Sequence, residues 1–326
     1  MPNEPCRVSF QSILAPVIEK FLEEKRACGY GYHEPARVLQ TLDRFCLGKG
    51  LTSCELTRFT AREWLALKPH ESAGTHQARV TVLRQFSKFL CRVGYSAYVP
   101  DTGLALRKTF SFSPRLLTQE ETRKLLHAVD ALPATARSPL RHLIMPEVFR
   151  LLCGCGFRVG EVLNLRVGDV DLDQGVITVR QGKFRKDRLV PPALPLVDRL
   201  RTYAAGFGKR PREAVFFPAP KGRPYRLRSV YGLFRRLLLV CNITHGGRSK
   251  GPRVHDLRHG FAVNTLLRWY RNGEDLDAKL PLLAVYLGHQ SLAGTQRYLH
   301  LTAELFPEIT TRVEALFGDV IPGRKP

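Results

Sequence analysis

Residues 287–298 read Leu287-Gly-His289-Gln-Ser-Leu-Ala-Gly-Thr295-Gln-Arg-Tyr298, and this stretch decides how the rest of the chain is read. Gly288 is a natural helix stop, because glycine enters the left-handed conformation that ends helices without steric cost. It presents His289 in a loop, and Tyr298 follows nine residues later on a short helix predicted over 292–299. A lone tyrosine near a helix end is usually packing. It gains chemical meaning only if cations and proton carriers gather beside it, so the segments upstream matter.

Three of them supply such groups. His255-Asp-Leu-Arg258-His259 opens a helix predicted over 255–270 and sets His255 and Arg258 one turn apart on a single face. His259, four residues after His255, invites a metal reading. No HExxH motif is present, however, and an arginine on that face repels a dication, so no metal is expected and His259 is read as a supporting residue. Further back, Gln181-Gly-Lys183-Phe-Arg185-Lys186-Asp-Arg188 joins two β runs, Val176–Val179 and Arg188–Val190, predicting a hairpin. Lys183 on that turn can approach a leaving oxygen, and the crowding cations favour release of its proton. The hairpin can equally grip a nucleic-acid backbone without proton transfer. Finally, Cys155-Gly-Phe-Arg158-Val-Gly-Glu161 places Arg158 at the start of a helix predicted over 158–166, with Glu161 one turn on to orient it.

Taken in order, Arg158, Lys183, His255, Arg258, His289 and Tyr298 suit one reaction. A phenol oxygen attacks a DNA phosphodiester, cationic side chains hold the pentavalent phosphate, and no metal or other cofactor is needed.

Composition agrees. The chain of 326 residues carries 51 Lys and Arg against 29 Asp and Glu, a net charge of +22. Such an excess self-repels unless spread over a polyanion, so nucleic acid is the first partner to consider and an anionic membrane surface the second. No apolar run approaches the ~20 residues of a membrane span, and the first residues lack a signal-peptide pattern, so a cytoplasmic, nucleoid-associated protein is expected. The eight cysteines follow no zinc-ligand spacing and read as reduced thiols. Asp169-Val-Asp171-Leu-Asp173 imitates a calcium loop but has Gln174 and Arg180 where glycine and glutamate are required, so a turn entering the hairpin is the better account.

The periodicity predicts a mainly α chain with a small antiparallel sheet in its C-terminal part, an α+β organisation. Residues 1–97 read as a helical N-terminal DNA-binding domain, 98–116 as a linker and 117–326 as the catalytic domain. Leu14, Val17, Ile18, Phe21 and Leu22 mark a first amphipathic helix, followed by helices near 35–46, 61–65 and 75–93. On the last of these, Arg84, Lys88 and Arg92 stand one above the next and are expected to contact phosphate. Thr118-Gln-Glu-Glu121 is a capping box that opens the second part. Further helices are predicted near 139–154, 193–205, 227–240 and 278–287, with an additional strand at 214–217. Arg185, Lys186, Arg188, Arg223, Arg226 and Arg228, with Arg235 and Arg236 beyond, are the candidate DNA-contacting group.

The ordered set resembles the tyrosine recombinases of the lambda-integrase and Xer type, some of them transposon-borne. The segments that carry the resemblance read CGFRVGE, QGKFRKDRLVP, HDLRH and LGHQSLAGTQRY. It spans about 115–326, and the N-terminal helices resemble that family's core-binding domain more loosely. One departure is RWYRNGEDLDAKLP, between Arg258 and His289, which is expected to lengthen a helix-to-helix connection. The resemblance implies a two-domain, C-shaped clamp on double-stranded DNA at a specific site. It implies that Tyr298 forms a 3′-phosphotyrosine link and frees a 5′-hydroxyl, without ATP, with Arg158 and Arg258 on the non-bridging oxygens. In the same scheme His255 assists proton transfer at the nucleophile, His289 hydrogen-bonds the phosphate and Lys183 protonates the 5′-oxygen. Strands exchange through a Holliday junction in a homo-tetramer on paired sites. A C-terminal helix at 307–317, striped by Ile309, Val313, Leu316 and Phe317, docks on a neighbour or covers its own domain. The other readings are a type IB topoisomerase and a DNA-binding accessory protein that does not cut.

Overall fold

In the computed structural model the described residues are 9–106, 114–180, 187–247, 251–296 and 298–299. The chain divides into two compact units, Met1–Ser111 and Phe112–Pro326.

The first unit holds helices α1 (Ala15–Ala27), α2 (His33–Gly48), α3 (Arg58–Leu65) and α4 (Ala73–Arg92). Its core is the stripe expected on α1, Leu14, Val17, Ile18, Phe21 and Leu22, closed by Phe86, Phe89 and Leu90 of α4. Phe21 meets Phe86 edge-on at 5.5 Å, the offset geometry that aromatic quadrupoles prefer. Helix α3 starts earlier than the apolar pattern suggested, because the Thr57 side chain caps it by accepting from the Thr60 N–H. Ala97, Tyr98 and Ala105 pack against this same core, so the segment read as a linker begins as part of the first unit.

The second unit follows with α5 (Gln119–Asp130), α6 (Arg141–Cys155), α7 (Val159–Leu163), the strands β1 (Val170–Asp171), β2 (Val176–Val179) and β3 (Arg188–Val190), then α8 (Leu194–Ala205), α9 (Leu227–Val240), α10 (Val254–Arg271), α11 (Leu276–Leu287) and α12 (Ala293–Gln296). Helix α5 opens with the Thr118–Glu121 capping box, both of its reciprocal hydrogen bonds formed. The strands pair antiparallel in the order β1-β2-β3, with Ile177 opposite Val190 and Val179 opposite Arg188. Two sequence expectations are corrected here. Ala214–Phe217 is no strand: Val215 makes a single bridge to Arg166, and Phe216 and Phe217 are both buried, which a strand alternating its side chains across one core face cannot do. The residues 268–281 lengthen no loop either. They extend the end of α10 and the start of α11, leaving 272–275 between them.

A principal core gathers α5, α6, α9 and the sheet, and a smaller cluster joins α10 to α11 through Ala262, Val263, Leu266, Leu283 and Leu287. Tyr298 belongs to that smaller cluster. Among the described residues no helix is long and apolar enough to cross a membrane, and no group of His, Cys, Asp and Glu could hold a metal ion.

Candidate active site

The site begins at two helix ends. Helix α6 stops at Gly156, and helix α11 stops at Gly288, each with a positive φ, 62° and 68°. At the second end Gly288 N–H donates to Val285 O and His289 N–H to Ala284 O, the paired bonds of a Schellman motif. A Cβ at Gly156 would lie 2.6 Å from the Phe261 ring, so this backbone approach needs glycine twice over.

Carbonyls freed at these ends are taken by three arginines. Arg258 donates to Gly156 O at 2.7 Å and to Leu287 O, Arg158 donates to Gly288 O at 3.1 Å, and Arg188 donates to Tyr286 O at 2.9 Å. Three consecutive carbonyls at the end of α11, those of residues 286–288, thus meet three guanidinium groups. The negative end of the helix dipole adds to the attraction.

One carboxylate serves two of those arginines. Glu161 accepts from Arg158 Nη1 at 2.7 Å, from the Arg158 backbone N–H at 2.9 Å, and from Arg188 through both oxygens at 3.0 and 2.8 Å. Burial raises the Glu161 carboxyl, but Arg188 and then Arg158 outweigh it and hold it at about 2. Among the described residues Arg258 has no carboxylate as a hydrogen-bond partner. Its side chain is 1% exposed, and burial, then the charge of Arg158, lowers it to about 10, which leaves it protonated at neutral pH.

The histidines crowd the same place. His255, His259 and His289 are each lowered to about 4, by burial first and then by Arg258, His255 and Arg258 respectively. They are neutral near pH 7. His289 is fixed by a 2.8 Å hydrogen bond between its Nδ1 and Thr295 Oγ1, and its ring lies 5.9 Å from that of Tyr298. His255 meets His259 edge-on at 4.8 Å. Tyr298, 2% exposed, has its hydroxyl 3.2 Å from His259 Nδ1.

Five of the six sequence-predicted catalytic residues therefore lie in one cluster, and Glu161 is bonded to Arg158. Lys183 lies outside the described residues, as do Arg185, Lys186 and the 307–317 segment. Arg188 corrects its expectation: it is turned inward onto Glu161 and the ring of Phe157, with a side chain 8% exposed, and it buttresses the site where a DNA contact was expected. Arg223, Arg226, Arg228, Arg235 and Arg236 are all exposed. In the first unit Lys88 is exposed, Arg84 donates to Pro100 O, and Arg92 pairs with Glu24 of α1, an acidic neighbour invisible in the spacing along α4. Sequence reasoning also missed Thr295 and the carbonyls of residues 286–288. The glycine in Leu287-Gly-His289 was the available signal for the latter.

The profile of the phage integrase family matches residues 115–304. The protein named integrase/recombinase y4rB of Sinorhizobium fredii is 31% identical over 318 residues, covering 94% of this chain and 99% of its own. Tyrosine recombinase XerA of Thermococcus kodakarensis is 35% identical over 213 residues, 63% of this chain and 66% of its own. Among solved structures, XerH site-specific recombinase bound to difH substrate in a post-cleavage complex has a TM-score of 0.60 at 19% identity, over 86% of this chain and 78% of that one. The Tn1549 transposon integrase in complex with a circular intermediate DNA has a TM-score of 0.60 at 18% identity, over 86% and 94%. At such identities the structural likeness concerns the fold.

Proposed function

The chain belongs to the phage integrase family, and on that footing we propose that it is a site-specific DNA recombinase of the tyrosine type. The observation that carries this is Tyr298, a buried residue in the cluster that also holds Arg158, Arg258, His255 and His289. Such a surplus of positive charge, satisfied by carbonyl dipoles and only partly by Glu161, calls for an anion, and the family's chemistry makes that anion a DNA phosphate.

The mechanism follows from the side chains. Tyr298 Oη attacks the scissile phosphorus, and the phenol proton leaves to a neighbouring base. Arg158 and Arg258 each use part of a five-donor fork on the protein, which fixes the remaining N–H groups toward the non-bridging oxygens. Their charges stay in place while negative charge builds on the phosphate, so little reorganisation is needed at the moment of reaction. His289 donates from its second ring nitrogen to the phosphate. The bond to the 5′-oxygen breaks, and Lys183 supplies that oxygen's proton. A 3′-phosphotyrosine link stores the ester energy, so rejoining needs neither ATP nor metal.

Around this chemistry we place the helical unit of residues 1–97 as a second grip on the duplex, using Lys88 and its neighbours Arg84 and Arg92, with the two units forming a clamp. Arg223, Arg226 and Arg228 add exposed positive charge on the catalytic unit. Strand exchange between paired sites calls for a homo-tetramer, with 307–317 as the candidate exchange helix, acting in the cytoplasm on the nucleoid.

The test is a covalent-adduct assay. Full-length protein and Tyr298→Phe are incubated with EDTA on DNA carrying the flanks of the native locus, then run under denaturing conditions. A protease-sensitive protein–DNA band from the wild type, absent in Tyr298→Phe, is the expected result. Tight, salt-sensitive binding with no band would instead favour a DNA-binding protein that does not cut.

A further inference from the structure

The sequence reading gives His255 the proton of the nucleophile and leaves His259 a supporting part. The geometry points to a different division: we propose that His259, oriented by Asp256, is the general base that takes the Tyr298 proton, an inference that rests on the recombinase reading above. The hydroxyl's described hydrogen-bond partner is His259 Nδ1, at 3.2 Å, with the two rings 5.4 Å apart. On the far side of the imidazole, Asp256 Oδ1 lies 3.9 Å from Nε2. That separation is too long for a direct hydrogen bond, so Asp256 acts through its charge. A carboxylate there favours the tautomer with its proton on Nε2, which turns the Nδ1 lone pair toward the phenol.

Asp256 is itself fixed. It is 1% exposed, and its oxygens accept from the Arg253 backbone N–H at 2.8 Å and from Arg253 Nη2 at 2.9 Å, closing the first turn of α10. The groups that face His259 are His255, Asp256, Arg253 and Arg258 of α10 and its cap, His289 from the loop after α11, and Tyr298. Burial first and His255 second keep the imidazole neutral at pH 7, the form able to accept a proton. His255 lies edge-on against His259 and beside Arg258.

The step balances. The Oη–H proton passes to His259 Nδ1 as the Oη–phosphorus bond forms, and the phosphorus–O5′ bond breaks as O5′ takes a proton from Lys183. In rejoining, the 5′-hydroxyl returns its proton to Lys183, attacks phosphorus, and Tyr298 leaves with the proton held on His259.

A DNA substrate whose scissile 5′-bridging oxygen is replaced by sulfur isolates this step, because a thiolate leaves without needing a proton. The full-length wild type should form its adduct at a nearly constant rate between about pH 6 and pH 9, the base being neutral throughout. His259→Phe keeps a ring of similar size but no lone pair. It should be about a hundredfold slower near pH 7, and the deficit should close as pH approaches the phenol's ordinary value of about 10. An unchanged rate, or a deficit of equal size at every pH, overturns the proposal. His259→Gln, judged by the same pH dependence, stands in if the Phe variant loses salt-sensitive DNA binding. Failure of the wild type to form any Tyr298 adduct would strike the recombinase reading itself; a wild-type adduct with a pH-independent variant deficit strikes only His259.

Discussion

Each unit of this protein buries an arginine, and the two are treated differently. In the first unit Arg79 meets Glu71 at 2.7 Å, with side chains 5% and 4% exposed, and its guanidinium lies 4.7 Å over the Trp64 ring. Charge is neutralised there by one carboxylate. In the second unit Arg258 is equally buried, but its described bonds go to main-chain carbonyls at two helix ends. Dipoles satisfy its donors while leaving its charge in force. A neutralised arginine holds a fold together; one solvated by dipoles and short of counter-charge awaits an anion.

That contrast can be broken most forcefully by removing the carboxylates. Glu71→Gln should destabilise the first unit by about 3–5 kcal/mol, since it strands a buried cation, and the folded protein should still cleave DNA. Glu161→Gln should cost the second unit about as much and also slow adduct formation, because Arg158 and Arg188 lose their common anchor. The two tryptophans separate these effects in urea unfolding, Trp64 reporting on the first unit and Trp269 on the second. Equal losses of cleavage in both variants would erase the distinction.

Next in size is Arg258→Lys. A lysine keeps the charge but lacks the planar fork that reaches two carbonyls and a phosphate together. About a hundredfold loss of adduct rate is expected, roughly 3 kcal/mol of transition-state stabilisation, with DNA binding nearly intact. Wild-type cleavage by the lysine variant would mean that charge alone suffices. A smaller effect is expected of Gly288→Ala. The left-handed backbone at φ 68° costs an alanine about 1 kcal/mol, and its Cβ would lie 3.1 Å from the Arg188 side chain. A lowered melting temperature and a few-fold slower cleavage should appear together.

Acid gives the most graded test. The three site histidines are lowered to about 4 when folded, against about 6.5 in an unfolded chain. Between these values the unfolded state binds protons that the folded state refuses, so stability of the second unit falls as pH drops through that window. Glu161, held at about 2, contributes stability above the ordinary glutamate value of about 4.3, and that contribution is lost as pH falls toward 2. The Trp269 transition should therefore move to lower urea between pH 7 and pH 4.5, and by more than the Trp64 transition.

Much of this was legible beforehand. Helix positions followed from apolar spacing and from local stop and start chemistry: Thr118 with Glu121 for α5, Gly288 for α11. The hairpin was readable from the two β runs 176–179 and 188–190, and its register came from the structure. The misreadings share a cause. Ala214–Phe217 looked like a strand because aromatic residues favour strands, yet tertiary packing buries adjacent rings against Tyr203. Arg188 looked like a DNA contact because one-dimensional spacing shows no partner; Glu161 reaches it from elsewhere in the fold.

What the sequence alone determined is the chemistry available: a tyrosine, arginines, histidines and a glutamate, in an order and spacing that suit phosphoryl transfer, and a charge that favours a polyanion. Those facts depend on residue identity and on contacts within a turn or two. Only the tertiary structure decided which arginine faces inward, which carbonyls replace water around Arg258, and which histidine the Tyr298 hydroxyl meets. These depend on groups as far apart as Gly156 and Arg258, or His259 and Tyr298, 102 and 39 residues from one another. Long-range juxtaposition is set by how helices pack, and a linear pattern of residue types carries no distance across that packing.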